Sequence, residues 1–353
     1  MATRTFVMAK KNKSDEFYTQ WSDIETEIQA YLAFNPNLFR GKTVLCPCDD
    51  PYKSNFFKYF ALHFNDLGLK KLIATCYRDT TNTQLTLSAD NPQEDTKIPH
   101  KIEVTEVANY NENAAIGLSY IEQILDNKKN VLTRLVGNGD FRSEEITALR
   151  DEADFIITNP PFSLFREFIA WIVAAKKQFL VISNMNAITY KEIFPLIKNN
   201  RLWLGLAFGR SFQGFIVPKN YPLNGSETRI DEHGNRIVST NNTIWLTNID
   251  HGRRYQPLQL MTMAENLEFS KHKQIRGKKY EKYDNYDAIE VPFTDAIPAD
   301  YDGVMGVPIS FLHKYCPEQF EIVKFRKGND GKDLSINGKC PYFRILIRNR
   351  SVK

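Results

Sequence analysis

The stretch ADFIITNPPFSLFREFIAW, residues 153–171, sets an asparagine, two prolines and an aromatic directly after a run of strand-forming residues. Tandem prolines can do no more than end a strand. Their neighbours point further. Asn159 offers a neutral carbonyl acceptor at the strand's end, Pro160 and Pro161 fix the backbone so that a main-chain carbonyl faces the same way, and Phe162 adds an aromatic face. Two acceptors and a π-face form a receptor for a planar heterocycle carrying an exocyclic amine. Such an amine is a poor nucleophile, because its lone pair is delocalised into the ring. Accepting both N–H bonds, at Asn159 Oδ1 and the Pro160 carbonyl, favours a pyramidal nitrogen whose lone pair points at an incoming methyl group. Phe162 would hold the ring by stacking, worth about 1–3 kcal/mol per base. Lining up nucleophile, methyl carbon and sulfonium leaving group is an orientation effect. An amide has no useful basicity, so the proton is expected to leave after the methyl arrives.

These residues need a scaffold, and the first half of the chain supplies one by alternation. TVLCPC (43–48) reads as a short buried strand, followed by an apolar-periodic helix over 54–68 that ends at Gly68. KKLIATCY (70–77) is a second strand, 114–130 a helix, VLTRLVGNGD (131–140) the site of a third strand, and DFIITN (154–159) a fourth. The helix 163–177 carries Leu164, Phe165, Phe168, Ile169, Ile172 and Val173 on one face, and QFLVISN (178–184) is a fifth strand. The alternation predicts a mostly parallel sheet covered by helices on both faces, with ligands beyond the carboxyl ends of the strands. PCDDP, GDF and NPPF all follow predicted strands, and so are expected to line one crevice.

After about residue 200 the pattern changes. Residues 229–249 read as a hairpin turning at His233-Gly234-Asn235, while 289–311 are rich in proline, glycine and aromatics without helical periodicity. Two domains are expected: 1–200, with a basic N-terminal tail, and an irregular module over 201–353.

Composition excludes several classes. In 353 residues, 42% hydrophobic, no run of about 18 apolar residues appears, so no spanning helix is expected, and the start lacks the apolar core of a signal peptide. Five cysteines at irregular spacing argue against a disulfide framework and for a reducing cytoplasm. Cys46 and Cys48 lack a second ligand pair, so no metal is expected. The net charge of +4 diagnoses little, but its distribution says more. Basic residues gather at Arg4, Lys10, Lys11 and Lys13, in HGRRYQ (251–256), and in SKHKQIRGKKYEKY (270–283), where Tyr280 and Tyr283 interleave. Such clusters suit phosphate contact and base stacking.

NPPF resembles the [DNS]-P-P-[YFW] motif of amino-methyltransferases that use S-adenosylmethionine. KSDEFYTQWSDIE, VLCPCDDPYKSNFFKYF, NMNAITYKEIFPLIKNNRLWLG and GVPISFLHKYCPEQFEIV resemble the EcoRI-type adenine-specific DNA methyltransferase family, from about residue 13 to residue 325. The resemblance implies a Rossmann-like S-adenosylmethionine-dependent methyltransferase sheet with an irregular C-terminal target-recognition module. It implies transfer from S-adenosyl-L-methionine to the N6 of an adenine flipped out of double-stranded DNA, in a restriction-modification system or a phage or mobile element. Tyr18 and Thr19 fall at the cofactor's methionine end, and Asp140 and Phe141 at its adenine. The catalytic set is Asn159, Pro160, Pro161 and Phe162. The chain departs from the wider pattern in CPCDDPYKSNF, a first-strand loop without glycine, where Asp49 and Asp50 are expected to replace the missing carboxylate. The second strand also lacks the acidic residue that usually binds ribose. Arg253, Arg254, Arg276 and Lys278 are the candidate DNA contacts. A monomer is expected, with a cognate restriction endonuclease sharing the site without contact. Two other readings stay open: an RNA or protein-amide methyltransferase using the same NPPF chemistry, and a DNA-binding relative without catalysis.

Overall fold

The computed structural model describes residues 18–78, 98–108, 123–127, 129–218, 228–239, 241–326, 334–339 and 343–350. The basic cluster at Arg4–Lys13 and most of the helix expected over 114–130 lie outside them; 123–126 are helical. The fold is mixed α/β, in two compact units: Met1–Met185 with Ala207–Ile249, and Asn186–Leu206 with Asp250–Lys353. The chain enters the second unit after Met185, returns within the strand Trp203–Phe208, and leaves again after Ile249.

The first unit contains β1 (Tyr18–Thr19), β2 (Thr43–Cys46), β3 (Lys71–Thr75), β4 (His100–Val104), β5 (Val131–Arg134), β6 (Phe155–Thr158) and β7 (Gln178–Asn184). The strand β8 (Trp203–Phe208) leads to β9 (Phe215–Val217), β10 (Thr228–Ile230), β11 (Arg236–Val238) and β12 (Thr243–Thr247). Its helices are α1 (Trp21–Phe34), α2 (Asn55–Leu62), α3 (Glu144–Glu152) and α4 (Phe165–Ala174). The main sheet runs β5-β4-β3-β2-β6-β7-β12. Only the centre is parallel, with Val44 opposite both Leu72 and Phe155, and Phe155 opposite Gln178. On either side β4, β5 and β12 pair antiparallel, so the mostly parallel sheet expected from the alternation is a parallel core with antiparallel flanks. The strand β4 escapes an apolar-run search because His, Lys and Glu alternate with Ile and Val, the pattern of a half-buried strand.

In β2 and β6 all eight residues are buried, as central strands with two covered faces require. Val44, Cys46, Phe155 and Ile157 share one core with Ile24, Ile28 and Tyr31 of α1 and Phe56, Phe57 and Phe60 of α2. Their neighbours Leu45 and Ile156 point the other way and are equally buried. The helix α2 starts on a Ser54 cap, whose Oγ accepts from Phe56 N at 3.0 Å. It ends at Leu62, and turns fill the way to Gly68, where φ is +62°. The helix α4 buries Phe165, Phe168, Ile169 and Ile172, while Leu164 and Val173 are half-buried.

A smaller antiparallel sheet runs β1-β9-β11-β10. Its β10–β11 hairpin turns where expected: Asp231 Oδ1 accepts from His233 N and Asn235 N, and Gly234 has φ +79°. The second unit contains α5 (Phe194–Lys198), α6 (Met263–Phe269), β13 (Ile289–Glu290), β14 (Met305–Pro308), β15 (Phe320–Arg326) and β16 (Arg344–Asn349). The segment expected to be irregular thus holds part of a sheet, ordered β13-β14-β16-β15. Its glycine has a packing cause: a Cβ on Gly306 would sit 2.1 Å from the Tyr283 hydroxyl. Among the described residues no helix is long and apolar enough to cross a membrane.

Phe155 is 1% exposed and meets Phe39 edge-on at 5.0 Å. Phe155→Ala should cost about 3–5 kcal/mol, read from the urea midpoint at unchanged slope.

Candidate active site

The geometry centres on Asp49, the third residue after β2 and 5% exposed. Its Oδ1 accepts from Ser54 Oγ at 2.5 Å and its Oδ2 from Thr158 Oγ1 at 2.5 Å. Its amide donates to Thr75 O at 3.0 Å, and Thr75 Oγ1 donates to Pro47 O at 2.8 Å. One carboxylate therefore ties the first-strand loop to the cap of α2 and to the last residue of β6, immediately before Asn159. Burial pushes its pKa up to about 7, against the two hydroxyl bonds that favour the charge. Asp50 is equally enclosed: Arg78 pairs with it, and Tyr52 N donates to its Oδ1 at 3.0 Å. Both acids expected at the cofactor hold the glycine-free loop in shape.

The other predicted segments reach the same place. Thr19 pairs with Phe215 in the small sheet, and its carbonyl accepts from Asn55 Nδ2 at 2.8 Å, next to Ser54. Phe162 meets Phe215 edge-on, centroids 6.2 Å apart. Tyr18–Thr19, the first-strand loop and NPPF are thereby joined through Asn55, Thr158 and Phe215, three residues the sequence reading did not single out. Thr158 had a signal, as the polar residue ending an apolar strand, and Ser54 had one as a cap before an apolar helix; Phe215 had none. Pro160 is buried, while Asn159, Pro161 and Phe162 are half-buried. The Thr19 hydroxyl is buried without a hydrogen-bond partner among the described residues.

The GDF segment lies against the end of β3. Gly139 has φ +81°, and a Cβ there would sit 2.3 Å from Cys76 O. Asp140 is gripped by Arg142, which donates from Nε to Oδ1 at 2.9 Å and from Nη2 to Oδ2 at 2.6 Å and holds the carboxyl below its usual range. Burial raises the Cys48 thiol, and the charges of Asp49 and Asp140 add to that shift, which links GDF to the first-strand loop. Phe141 turns into the core, 5.0 Å from Phe168 and 5.6 Å from Trp171.

In the second unit the four basic candidates divide. Arg254 is 8% exposed, with its guanidinium 3.4 Å from the Trp203 ring centroid and 2.6 Å from Asp250 Oδ1. Arg253 is half-buried, donates to Leu206 O at 2.9 Å and lies 2.6 Å from His313 Nε2, which is itself 2.8 Å from the same carbonyl. Arg276 and Lys278 are exposed, with no ion pair among the described residues. Tyr280 and Tyr283 are buried, their hydroxyls donating to Ala296 O and to Glu290, so the stacking expected of them is not available. No group of three or more metal-ligating side chains occurs among the described residues.

A mixed α/β fold that brings an NPPF turn, an acidic loop and a GDF-type segment to neighbouring strand ends is consistent with a methyltransferase. Residues 5–350 match the family described as adenine-specific methyltransferase EcoRI, and the chain belongs to that family. It is 50% identical over 350 residues to the type II methyltransferase M.EcoRI of Escherichia coli, covering 98% of this chain and 96% of that protein. It is 33% identical to the type II methyltransferase M.MpnI of Mycoplasma pneumoniae, covering 98% of each chain. M.MgeORF184P of Mycoplasma genitalium is also 33% identical, over 98% of this chain and 99% of that protein. No solved structure matched at a comparable level of significance.

Because the Asp49 pKa lies above its ordinary 3.8, the native state keeps this proton longer than the unfolded chain. The stability it contributes is complete below about pH 4 and is lost as the pH rises through about 7. Wild-type stability minus that of Asp49→Asn should therefore fall across this window, measured by urea unfolding at a series of pH values. Asp23, raised to about 6 by burial, titrates in both proteins and cancels.

Proposed function

We propose that this chain transfers a methyl group from S-adenosyl-L-methionine to the N6 amine of an adenine in double-stranded DNA at one recognised sequence. Family membership and the type II names of its relatives support the reaction class. The observation that carries the site is the Thr158–Asp49 hydrogen bond, which joins the NPPF turn to the first-strand loop. The parallel centre β3-β2-β6-β7, with its functional segments at carboxyl ends, supports a Rossmann-like methyltransferase sheet.

The residues fit the cofactor on one structural ground. A buried hydroxyl without a partner costs about 1–3 kcal/mol, and the Thr19 Oγ1 is in that position until a polar ligand meets it. Thr19 and Tyr18 would hold the methionine end. A carboxylate oxygen keeps a second lone pair, so Asp49 and Asp50 can shape the loop and still accept from the methionine amine or a ribose hydroxyl. Asp140, kept ionised by Arg142, would accept from the adenine amino group, with Phe141 as the wall behind it. When bound, S-adenosylmethionine supplies an electrophilic methyl group on a sulfonium.

Asn159 Oδ1 and the Pro160 carbonyl would accept the two N–H bonds of the target amine, Pro161 would fix the turn, and Phe162, braced by Phe215, would stack on the base. The target reaches this turn only after leaving the stack, at a cost of a few kcal/mol that DNA contacts must offset. We assign those contacts to the second unit: Arg276 and Lys278 to phosphates, and Arg253 and Arg254 to the framework that carries them. The chain would act as a monomer in the cytoplasm, within a restriction-modification system or a phage or mobile element, and a cognate endonuclease would share its site without touching it.

Modification-sensitive sequencing of bacterial DNA after expression of wild type and Asn159→Ala tests this. The wild type should leave N6-methyladenine in one sequence context, and the variant should lose at least about 100-fold of the activity while binding duplex normally. Full activity in Asn159→Ala would overturn the role of that residue. Phe162→Ala should lower turnover more than duplex affinity in single-turnover assays; loss of affinity alone would contradict stacking.

A further inference from the structure

The second unit contains a cleft of about 370 Å³ between residues 256–260 on one wall and Thr294, Asp295, His313 and Lys314 on the other. The first wall is pinned by its backbone. Gln319 accepts from Leu258 N at 2.7 Å and donates to Leu258 O at 3.0 Å, and Ala299 N donates to Met261 O at 2.9 Å. Leu258 and Leu260 are half-buried, while Gln256 and Gln259 are exposed. The amides of both glutamines lack hydrogen-bond partners among the described residues. The pinned backbone holds these exposed planar amides where an incoming ligand can meet them.

The opposite side is equally defined. Arg253 donates to Leu206 O at 2.9 Å, His313 Nε2 lies within hydrogen-bond distance of both that carbonyl and the Arg253 guanidinium, and burial, helped by the charges of Arg253 and Lys314, lowers the imidazole pKa. Lys314 is exposed and has no ion pair among the described residues. Asp295, at the rim, pairs with Lys271 and His272 and so joins the cleft to the basic strip 271–282. In that strip Lys273, Arg276, Lys278, Lys279 and Lys282 are exposed without ion pairs among the described residues. Amides in a cleft bordered by unpaired cations match a base-pair edge flanked by phosphates. A Gln amide pairs with the N6 and N7 of adenine in the major groove, and cations meet the backbone.

We propose that this cleft reads base edges, with Gln256 and Gln259 as residues that set the recognised sequence and Lys314 as a phosphate contact. This use of the cleft presupposes the DNA-methyltransferase reading above. The test measures kcat/KM on the duplex the wild type methylates and on duplexes with single base-pair changes, for wild type, Gln256→Ala/Gln259→Ala, Gln259→Glu and Lys314→Gln. The double variant should still methylate the original site while its discrimination falls roughly 10- to 100-fold at one or two A·T positions. Gln259→Glu, which keeps shape and loses the donor, should shift preference there toward a base presenting a donor, such as cytosine. Lys314→Gln should weaken binding evenly across sequences and lower the salt slope by about one. Wild-type discrimination retained at every position in either glutamine variant overturns the proposal while leaving methyl transfer intact. A wild-type chain that methylates no DNA overturns the reading beneath it instead.

Discussion

Burying a carboxylate is costly unless its oxygens are hydrogen-bonded, and the first unit is organised around one that is. Asp49 receives one hydroxyl from the cap of α2 and one from the end of β6, and donates its own amide to the end of β3. Three strand ends and a helix start are thus referred to a single residue. Nucleotide-type folds commonly use glycines to let the backbone come close at this loop. Here the loop has no glycine, and side-chain hydroxyls hold it instead. The close backbone approach has moved to Gly139, which lies against Cys76 at the end of β3.

The arrangement explains which features are legible in the amino-acid sequence alone. The turn after β6 was legible because Asn159, two prolines and Phe162 are chemically unusual together, and β2, β6 and β7 were legible as short apolar runs. The approach of Tyr18–Thr19 to the same place was legible only through family likeness, since it depends on a two-residue strand pairing with Phe215 far along the chain. The tyrosines of the basic strip illustrate the opposite error. An aromatic beside charged residues looks like a stacking platform, yet Tyr280 and Tyr283 are worth more in the core, where each buries a ring and still satisfies its hydroxyl. Arg254 is engaged within the unit. Its charge suggests a phosphate, but a Trp203 face and the Asp250 carboxylate already engage it.

The sheet of the second unit went unseen for a related reason. Gly306 and Pro308 sit inside or at the end of β14, where both residues ordinarily argue against a strand. The glycine is there to admit the Tyr283 hydroxyl, which meets Glu290, itself held by Arg344 at 2.9 Å. A Tyr283–Glu290–Arg344 chain thus packs against β14 where its glycine leaves room.

The path of the chain between its two units bears on how such proteins diversify. Because the first unit is completed by Ala207–Ile249 only after Asn186–Leu206 has been laid down in the second, the aromatic that braces Phe162 emerges from the ribosome more than fifty residues after the turn it supports. A fragment ending near residue 200 would leave that turn without its brace. It also means that one recombination crossover cannot exchange the second unit whole. Variation of the second unit as a whole would need two coordinated exchanges, and not the swap of a terminal cassette.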